Sequence, residues 1–291
     1  MLQIFPVLVI SLLLISVGLK KIFNVPSAVR VHLFNKAGKK TRFTNIFQLH
    51  YIMFNRIKFR LDHQRDLFVA SCAKLLKPKS TILDVGAGAT KYRSLFIHCQ
   101  YAAQDFCQHS GSVEGPMAEG NIWQYGLIDY VCDATSIPVE SASFDAVLCT
   151  EVLEHVPDPD LVLKEIGRIL KPGGHLFLTA PLTSGLHQEP HHFFGGYTPY
   201  YYKLKLGELG FKKIEVIPNG GFYSFHSQET QRFSAWIGPW RQPFFNAVLL
   251  FPIWLLGLPW CRVIYPLIAP HLDKSDKHKP FTVGYHVIGI R

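Results

Sequence analysis

The chain has 291 residues, room for one α/β domain plus additions, and its 48% hydrophobic content and mean hydropathy of +0.13 are high for a purely soluble protein. Six cysteines (72, 99, 107, 132, 149, 261) show no CxxC or regular spacing, which argues against a disulfide framework and fits a reducing compartment. The formal net charge of +9 is concentrated, with ten Lys or Arg and no Asp or Glu from Lys20 to Leu61; beside an apolar N-terminus this suits anionic lipid better than nucleic acid.

Leu2 to Leu19 is eighteen residues without a charge, closed by Lys20-Lys21. As helix it reaches about 27 Å, against a bilayer core of about 30 Å. It lacks the basic n-region and A-x-A-like site of a cleaved signal peptide. The positive-inside rule then puts the following residues in the cytoplasm; an interfacial or buried helix is the alternative. The domain plan is an anchor at 1–21, a basic linker with the start of the cap helices at 22–60, and an α/β domain at 61–291. Ile46 to Leu76 carries apolar residues at helical spacing, stopped by Lys77-Pro78, and His50 and His63 read as surface or packing groups.

Thr81-Ile-Leu-Asp-Val-Gly-Ala-Gly-Ala-Thr90 then predicts a buried parallel strand and a tight strand-to-helix turn. Gly86 and Gly88 let a ligand approach the backbone, and Asp84 stands at the strand's carboxyl end, where open α/β sheets bind ligands. Asp105 closes the next strand, at the spacing of a ribose-hydroxyl acceptor. The third glycine of a nicotinamide-binding fingerprint is absent, since position 91 is Lys. A polar loop at 108–126 precedes a third strand, Ile128 to Asp133. A fourth strand over Phe144 to Cys149 delivers Thr150-Glu-Val-Leu-Glu-His155 to the pocket rim. A helix over Asp160 to Leu170, ended by Lys171-Pro-Gly-Gly174, leads to a fifth strand, His175 to Ala180. Strands alternating with helices imply a parallel sheet. His187 to Thr198, crowded with polar and aromatic groups directly after that strand, is the richest source of substrate contacts. A helix over Tyr200 to Leu209 and a strand over Phe211 to Ile217 follow.

Ile82 to Gly88, Asp105, Cys132-Asp-Ala134, Phe144 to His155 and Arg168 to Gly174 resemble, in order, the motifs of class I S-adenosylmethionine (SAM)-dependent methyltransferases, above all the type 11 group. The resemblance covers about residues 60–217 and returns at 282–291. It implies a Rossmann-like fold with a seven-stranded, mostly parallel sheet whose last strand is antiparallel. It implies SAM held by Asp84, Gly86, Gly88, Asp105, Asp133, Ala134 and Thr150, with Asp133 accepting from the adenine amino group; a turn aspartate is the alternative for that residue. Methyl transfer to a hydroxyl needs alignment and a proton acceptor, for which His155 and His191 stand first and His187 and His192 second. Glu151-x-x-Glu154-His155 with His191 or His192 also resembles the metal site of some quinone-precursor and small-RNA O-methyltransferases, although no metal is the first expectation.

Phe244 to Pro270 has a single charge, Arg262, and prolines at 252, 259, 266 and 270, which predict that no long helix runs through it. Because 282–290 resembles the family's last strand and must rejoin the sheet, the insert is expected to be interfacial or re-entrant, or else a soluble lobe. The expected function is O-methylation of a membrane-linked acceptor (lipid, lipid-linked glycan or quinone-like) at the cytoplasmic face. The alternatives are a soluble small-molecule or protein acceptor, and an inactive scaffold.

Overall fold

Side chains along the central strands point alternately to the two faces of a sheet, and the sequence fills both faces with apolar groups. Ile82, Ala146, Leu148 and Phe177 join one buried cluster with Phe68, Val69 and Cys72. Their neighbours Leu83, Val85, Val147, Cys149, Leu176 and Leu178 join the other, with Val162, Leu163, Ile166, Tyr202 and Leu206. Each strand is thus buried on both sides, the condition for a parallel sheet covered by helices.

The computed structural model describes residues 60–109 and 124–291. The expected anchor at 1–21, the basic linker at 22–59 with His50, and residues 110–123 of the polar loop lie outside the described residues. In chain order the described elements are α1 (Arg60–Ala73), β1 (Thr81–Val85), β2 (Gln100–Asp105), β3 (Tyr130–Val131), β4 (Phe144–Thr150), α2 (Pro159–Ile169), β5 (Leu170–Pro181), α3 (Pro199–Glu208), β6 (Lys212–Pro218), α4 (Phe222–Trp236), α5 (Phe244–Pro259), α6 (Tyr265–Leu272) and β7 (Gly284–Ile290). The sheet order is β3-β2-β1-β4-β5-β7-β6, and β7 runs antiparallel to both its neighbours, as the Rossmann-like reading expects. Helix starts follow local chemistry: Asp158 accepts from the Leu161 N–H ahead of Pro159, and Thr198 accepts from Tyr201 ahead of Pro199.

Three expectations need correcting. The third strand is only Tyr130–Val131. Its flanks are diverted, because Asp129 accepts from the Ala103 N–H at 2.8 Å and Asp133 from Thr135 at 2.8 Å. Lys171 to Gly174 does not simply end a helix; β5 already begins at Leu170, opposite Phe144, and runs through these residues.

The largest correction concerns the prolines of the apolar insert. Helix runs continuously from Phe244 to Leu272, with Pro252 and Pro259 inside α5 and a π turn at Trp260–Ile264 leading into α6. A proline removes one N–H and crowds the preceding turn; here the wider π turn follows Pro259 directly. The segment packs against α4 through Trp254 Nε1, which donates to the Ser234 carbonyl at 2.8 Å, and through the pair His226 and Tyr265 at 2.9 Å. At the base, buried Asp273 accepts from the N–H groups of Gly221, Tyr223 and Ser224 at 3.0 to 3.2 Å, and Asp276 accepts from Phe222 at 2.9 Å. The orphan amides that open α4 are thereby capped from the end of α6. The chain therefore turns back as a hairpin of α4 against α5–α6, rather than by a break inside the apolar run.

Candidate active site

The cleft lies at the carboxyl edge of β1, β2 and β4, and it begins with backbone. Gly86 has φ +67°, and a Cβ there would stand 2.4 Å from Val152 Cγ2, so both backbone and space demand glycine. The turn is tied down by its neighbour strand: the Gly88 N–H donates to Asp105 Oδ2 at 2.9 Å, and the Gly86 N–H to Gln104 Oε1 at 3.2 Å. Asp105 Oδ1 accepts from the Cys107 N–H at 2.9 Å, so the carboxylate is oriented from both sides.

Asp84 is 1% exposed. Its Oδ2 accepts from the Tyr101 hydroxyl at 2.5 Å, while Oδ1 is buried without a partner. Burial, aided by the nearby Asp105 charge, pushes its carboxyl up to about 7. An unsatisfied buried acceptor facing a cleft suits a cationic ligand or a hydrogen-bond donor. That orphaned oxygen and the backbone-lined approach at Gly86 and Gly88 fit SAM, a sulfonium with an ammonium group.

Asp84, Gly86, Gly88, Asp105, Asp133, Ala134 and Thr150, the residues implied for SAM, all line one cleft of about 620 Å³. Asp133 also serves its own turn, since Oδ1 accepts from both the N–H and the hydroxyl of Thr135.

The opposite wall is acidic and imidazole-rich. Glu151 holds a left-handed φ of +52°, and its Oε1 accepts from the Thr179 hydroxyl at 2.7 Å, with Arg65 at 3.6 Å from Oε2. Glu154 is 1% exposed with Oε2 unpartnered, and burial together with Glu151 raises its carboxyl well above the usual range. His155 lies 3.9 Å from it. That separation would count as an ion pair only if both were charged; burial drives Glu154 up and His155 down to about 4, so it works against the charged form of both. His155 Nδ1 stands 2.6 Å from the His191 carbonyl. A carbonyl only accepts, so Nδ1 carries the proton and Nε2 keeps its lone pair, the form a proton acceptor requires.

The remaining histidines divide. His155, His187 and His191 line the cleft, whereas His192 stands behind, its ring 4.6 Å from that of His187 and its Nε2 3.0 Å from Ser184 Oγ. The His191 ring packs edge-on against Phe106, so its carbonyl, not its imidazole, touches His155. Of the metal candidates, Glu154 and His155 converge with His187, their donor atoms all within 4.8 Å of one another. Glu151 is committed to Thr179, and His191 to Phe106. The donor set fits a divalent ion once Glu154 ionises.

Tyr101 and Gln104 belong to the site as well, although no motif marks them. Tyr101 holds Asp84, and the Gln104 amide joins Gly86 to the Cys132 carbonyl across the strand ends. Alternation in β2 was the available signal, since polar residues at 101 and 104 stand among strand positions that should face the core.

Residues 83–178 match the family model described as a methyltransferase domain. A ubiquinone biosynthesis O-methyltransferase of Xanthomonas oryzae pv. oryzae is 58% identical over 40 residues, 14% of this chain and 17% of that protein. The sarcosine/dimethylglycine N-methyltransferase of Halorhodospira halochloris is 28% identical over 158 residues, 50% of this chain and 56% of that protein. The chain therefore matches from 17% to 56% of the length of these two relatives. A solved SAM-dependent methyltransferase from Archaeoglobus fulgidus aligns with a TM-score of 0.44 at 16% identity, over 84% of this chain and 99% of that one.

Proposed function

We propose, from the premise that this chain belongs to the class I SAM-dependent methyltransferases, that it methylates a hydroxyl of a membrane-linked acceptor at the cytoplasmic face, the acceptor being a lipid, a lipid-linked glycan or a quinone-like molecule. The observation that carries this reading is the single cleft in which the seven SAM-side residues face His155 and His187. When bound, SAM supplies a methyl group already activated on a sulfonium. What remains for the chain is to align the acceptor, exclude water and take up one proton. Asp105 would hold the ribose hydroxyls, Asp133 and Ala134 would meet the adenine, and His155 would accept the acceptor's proton at Nε2.

The membrane half of the reading is supported by the exposed apolar helix over Phe244–Leu272, by length and composition able to cross a bilayer. The uncharged Leu2 to Leu19 with its following basic residues supports an N-terminal anchor whose cytoplasmic side carries the domain. The test has two arms. Calorimetry measures SAM binding to the purified chain, and mass spectrometry of lipids and glycans from a deletion strain looks for a species lighter by one methyl. A chain that does not bind SAM sinks the reading, and an unchanged lipid and glycan profile removes the membrane-linked acceptor.

A second reading is favoured by the unpartnered Glu154 Oε2 beside His155 and His187. Here these three residues hold a divalent cation that polarises the acceptor hydroxyl. Full activity after EDTA, with no metal found on analysis, removes it.

A further inference from the structure

Both roots of the α4–α6 hairpin sit at the carboxyl edge of the sheet. Pro181, the last residue of β5, pairs with Gly284, the first of β7, and Pro218, the last of β6, pairs with Tyr285. The loop after β5 that supplies His187 to the cleft leaves from this same edge, one strand away. The hairpin and the acceptor side of the cleft therefore share one rim.

Apart from the contacts of Trp254 with Ser234 and Trp240, the described residues leave α5 largely uncovered. No residue of Phe244–Pro259 is buried, and the exposed Phe244 (85%), Phe245 (82%), Leu249 (67%), Ile253 (64%) and Leu256 (81%) spread over about half of the helix circumference. A protein groove receives a stripe with a polar rim; a helix apolar nearly all round belongs in a core or in lipid. Four of the five tryptophans of the chain (236, 240, 254, 260) stand in this hairpin, and Arg241 lies over the Trp236 ring at 5.1 Å. Trp beside Arg is the composition of a bilayer interface. Past α6 come the exposed Lys274 and Lys277, while the acids there, Asp273 and Asp276, are occupied by the amides of α4. With Lys279 the three lysines outnumber the two aspartates by one, so the flank carries a small net positive charge toward an anionic surface.

Topology decides how the hairpin meets lipid. If α5 crossed a bilayer, Phe244 would emerge on the far side, and the end of α4 would have to follow it. The linking residues 237–243 reach at most about 25 Å even when extended. Instead Trp240 packs on Trp254 at 5.1 Å, and α4 carries Gln228, Glu229, Gln231 and Arg232. Such a helix cannot lie in the hydrocarbon core.

We infer that α4–α6 is a monotopic lipid-docking hairpin that lies in one leaflet of an anionic bilayer and sets the acceptor side of the cleft against the membrane, so that the acceptor enters from the lipid. The entry step rests on the proposed function; the docking does not.

The test uses the full chain with Trp123→Phe, so that every remaining tryptophan reports from the hairpin. It is reconstituted in vesicles of phosphatidylcholine and phosphatidylglycerol whose acyl chains are brominated either near the headgroup or near the methyl end. Tryptophan fluorescence is expected to be quenched roughly two-fold or more by the shallow bromines and little by the deep ones. Quenching by neither overturns the docking, and if concentration-dependent dimers accompany it the occupant is a second copy. Equal or stronger deep quenching overturns the one-leaflet geometry. Leu249→Glu/Ile253→Glu/Leu256→Glu alters only exposed side chains. It is expected to keep SAM affinity, to lose the shallow quenching, and to transfer tritiated methyl into vesicles of deletion-strain lipid about tenfold more slowly. Equal transfer rates for the two proteins overturn the entry step. A wild-type chain that is quenched and binds SAM but labels no lipid upholds the docking and refutes the membrane-linked acceptor.

Discussion

The two halves of the rim are built from different materials. On the β1–β2 side, the cleft is lined by a glycine turn whose backbone amides are tied to Gln104 and to the Asp105 carboxylate. On the β5–β7 side, the wall is made of side chains, with imidazoles packed edge-on or tilted against one another and an apolar hairpin beyond them. Backbone geometry tolerates few alternatives, so the first half carries a motif and the second does not. A residue on the first side should act mainly through binding, and one on the second mainly through turnover.

The largest effect that would test this contrast is at Gly86. Gly86→Ala combines a disfavoured φ with a clash against Val152, and should abolish measurable SAM binding. Val152→Ala in the same chain should restore binding only in part, because the backbone strain remains. Calorimetry of the single and double variants reads both; full recovery would mean that space alone demands the glycine.

Next comes Asp105→Ala, which removes a charge-assisted acceptor and should weaken SAM roughly ten- to hundredfold. Unchanged affinity would take Asp105 out of the site.

Across the cleft, His155→Gln should leave SAM affinity within about twofold and lower turnover by roughly 10² or more, the usual contribution of a positioned proton acceptor. His191→Ala should do much less, since the carbonyl that orients His155 survives the substitution. If the two variants lose turnover equally, the His191 imidazole takes part itself.

A smaller effect separates the halves by pH. The Asp84 carboxyl is raised in the folded chain, so its contribution to stability is full in acid, below about 4, and is lost as pH rises through about 7. A cation in the cleft favours the ionised form, so SAM should bind several-fold tighter at pH 8 than at pH 6, and Asp84→Asn should flatten the difference. Affinity that does not vary with pH in the wild type would separate Asp84 from the ligand charge.

The smallest expected effect is on the hairpin itself. Leu256 is 81% exposed, and Leu256→Ser should alter unfolding by less than about 0.5 kcal/mol. A larger loss would mean that α5 is packed in solution after all.

Legibility follows the same division. Asp84, Gly86, Gly88 and Asp105 could be read because spacing along the chain fixes where strand ends meet. His187 could not be ranked above His191, because what selects it is tertiary: the N–H groups of Phe193 and Phe194 both donate to the Glu154 carbonyl, which folds the loop so that His187 faces His155. Gln104 was invisible for a similar reason, its amide joining strand ends that the sequence keeps apart. At the insert, the proline rule forecast a break in the helix. Pro252 and Pro259 each withdraw one donor, yet helix continues on both sides of them, with a π turn after the second. The parallel core of the sheet, by contrast, followed from alternating strands and helices, and the antiparallel β7 from its resemblance to a last strand.

The carboxylates at the base of the hairpin bear on the order in which the chain assembles. β6 and β7 are neighbours in the sheet but are separated by residues 219–283, and bringing such distant partners together carries a loop-closure entropy that slows pairing. Asp273 and Asp276 join the two ends of that segment at Gly221 to Ser224, so once the hairpin has formed only short tethers remain on either side. To the folding sheet the whole excursion then behaves as a tight turn. The last strand can be threaded late, after α4 to α6 have already found one another.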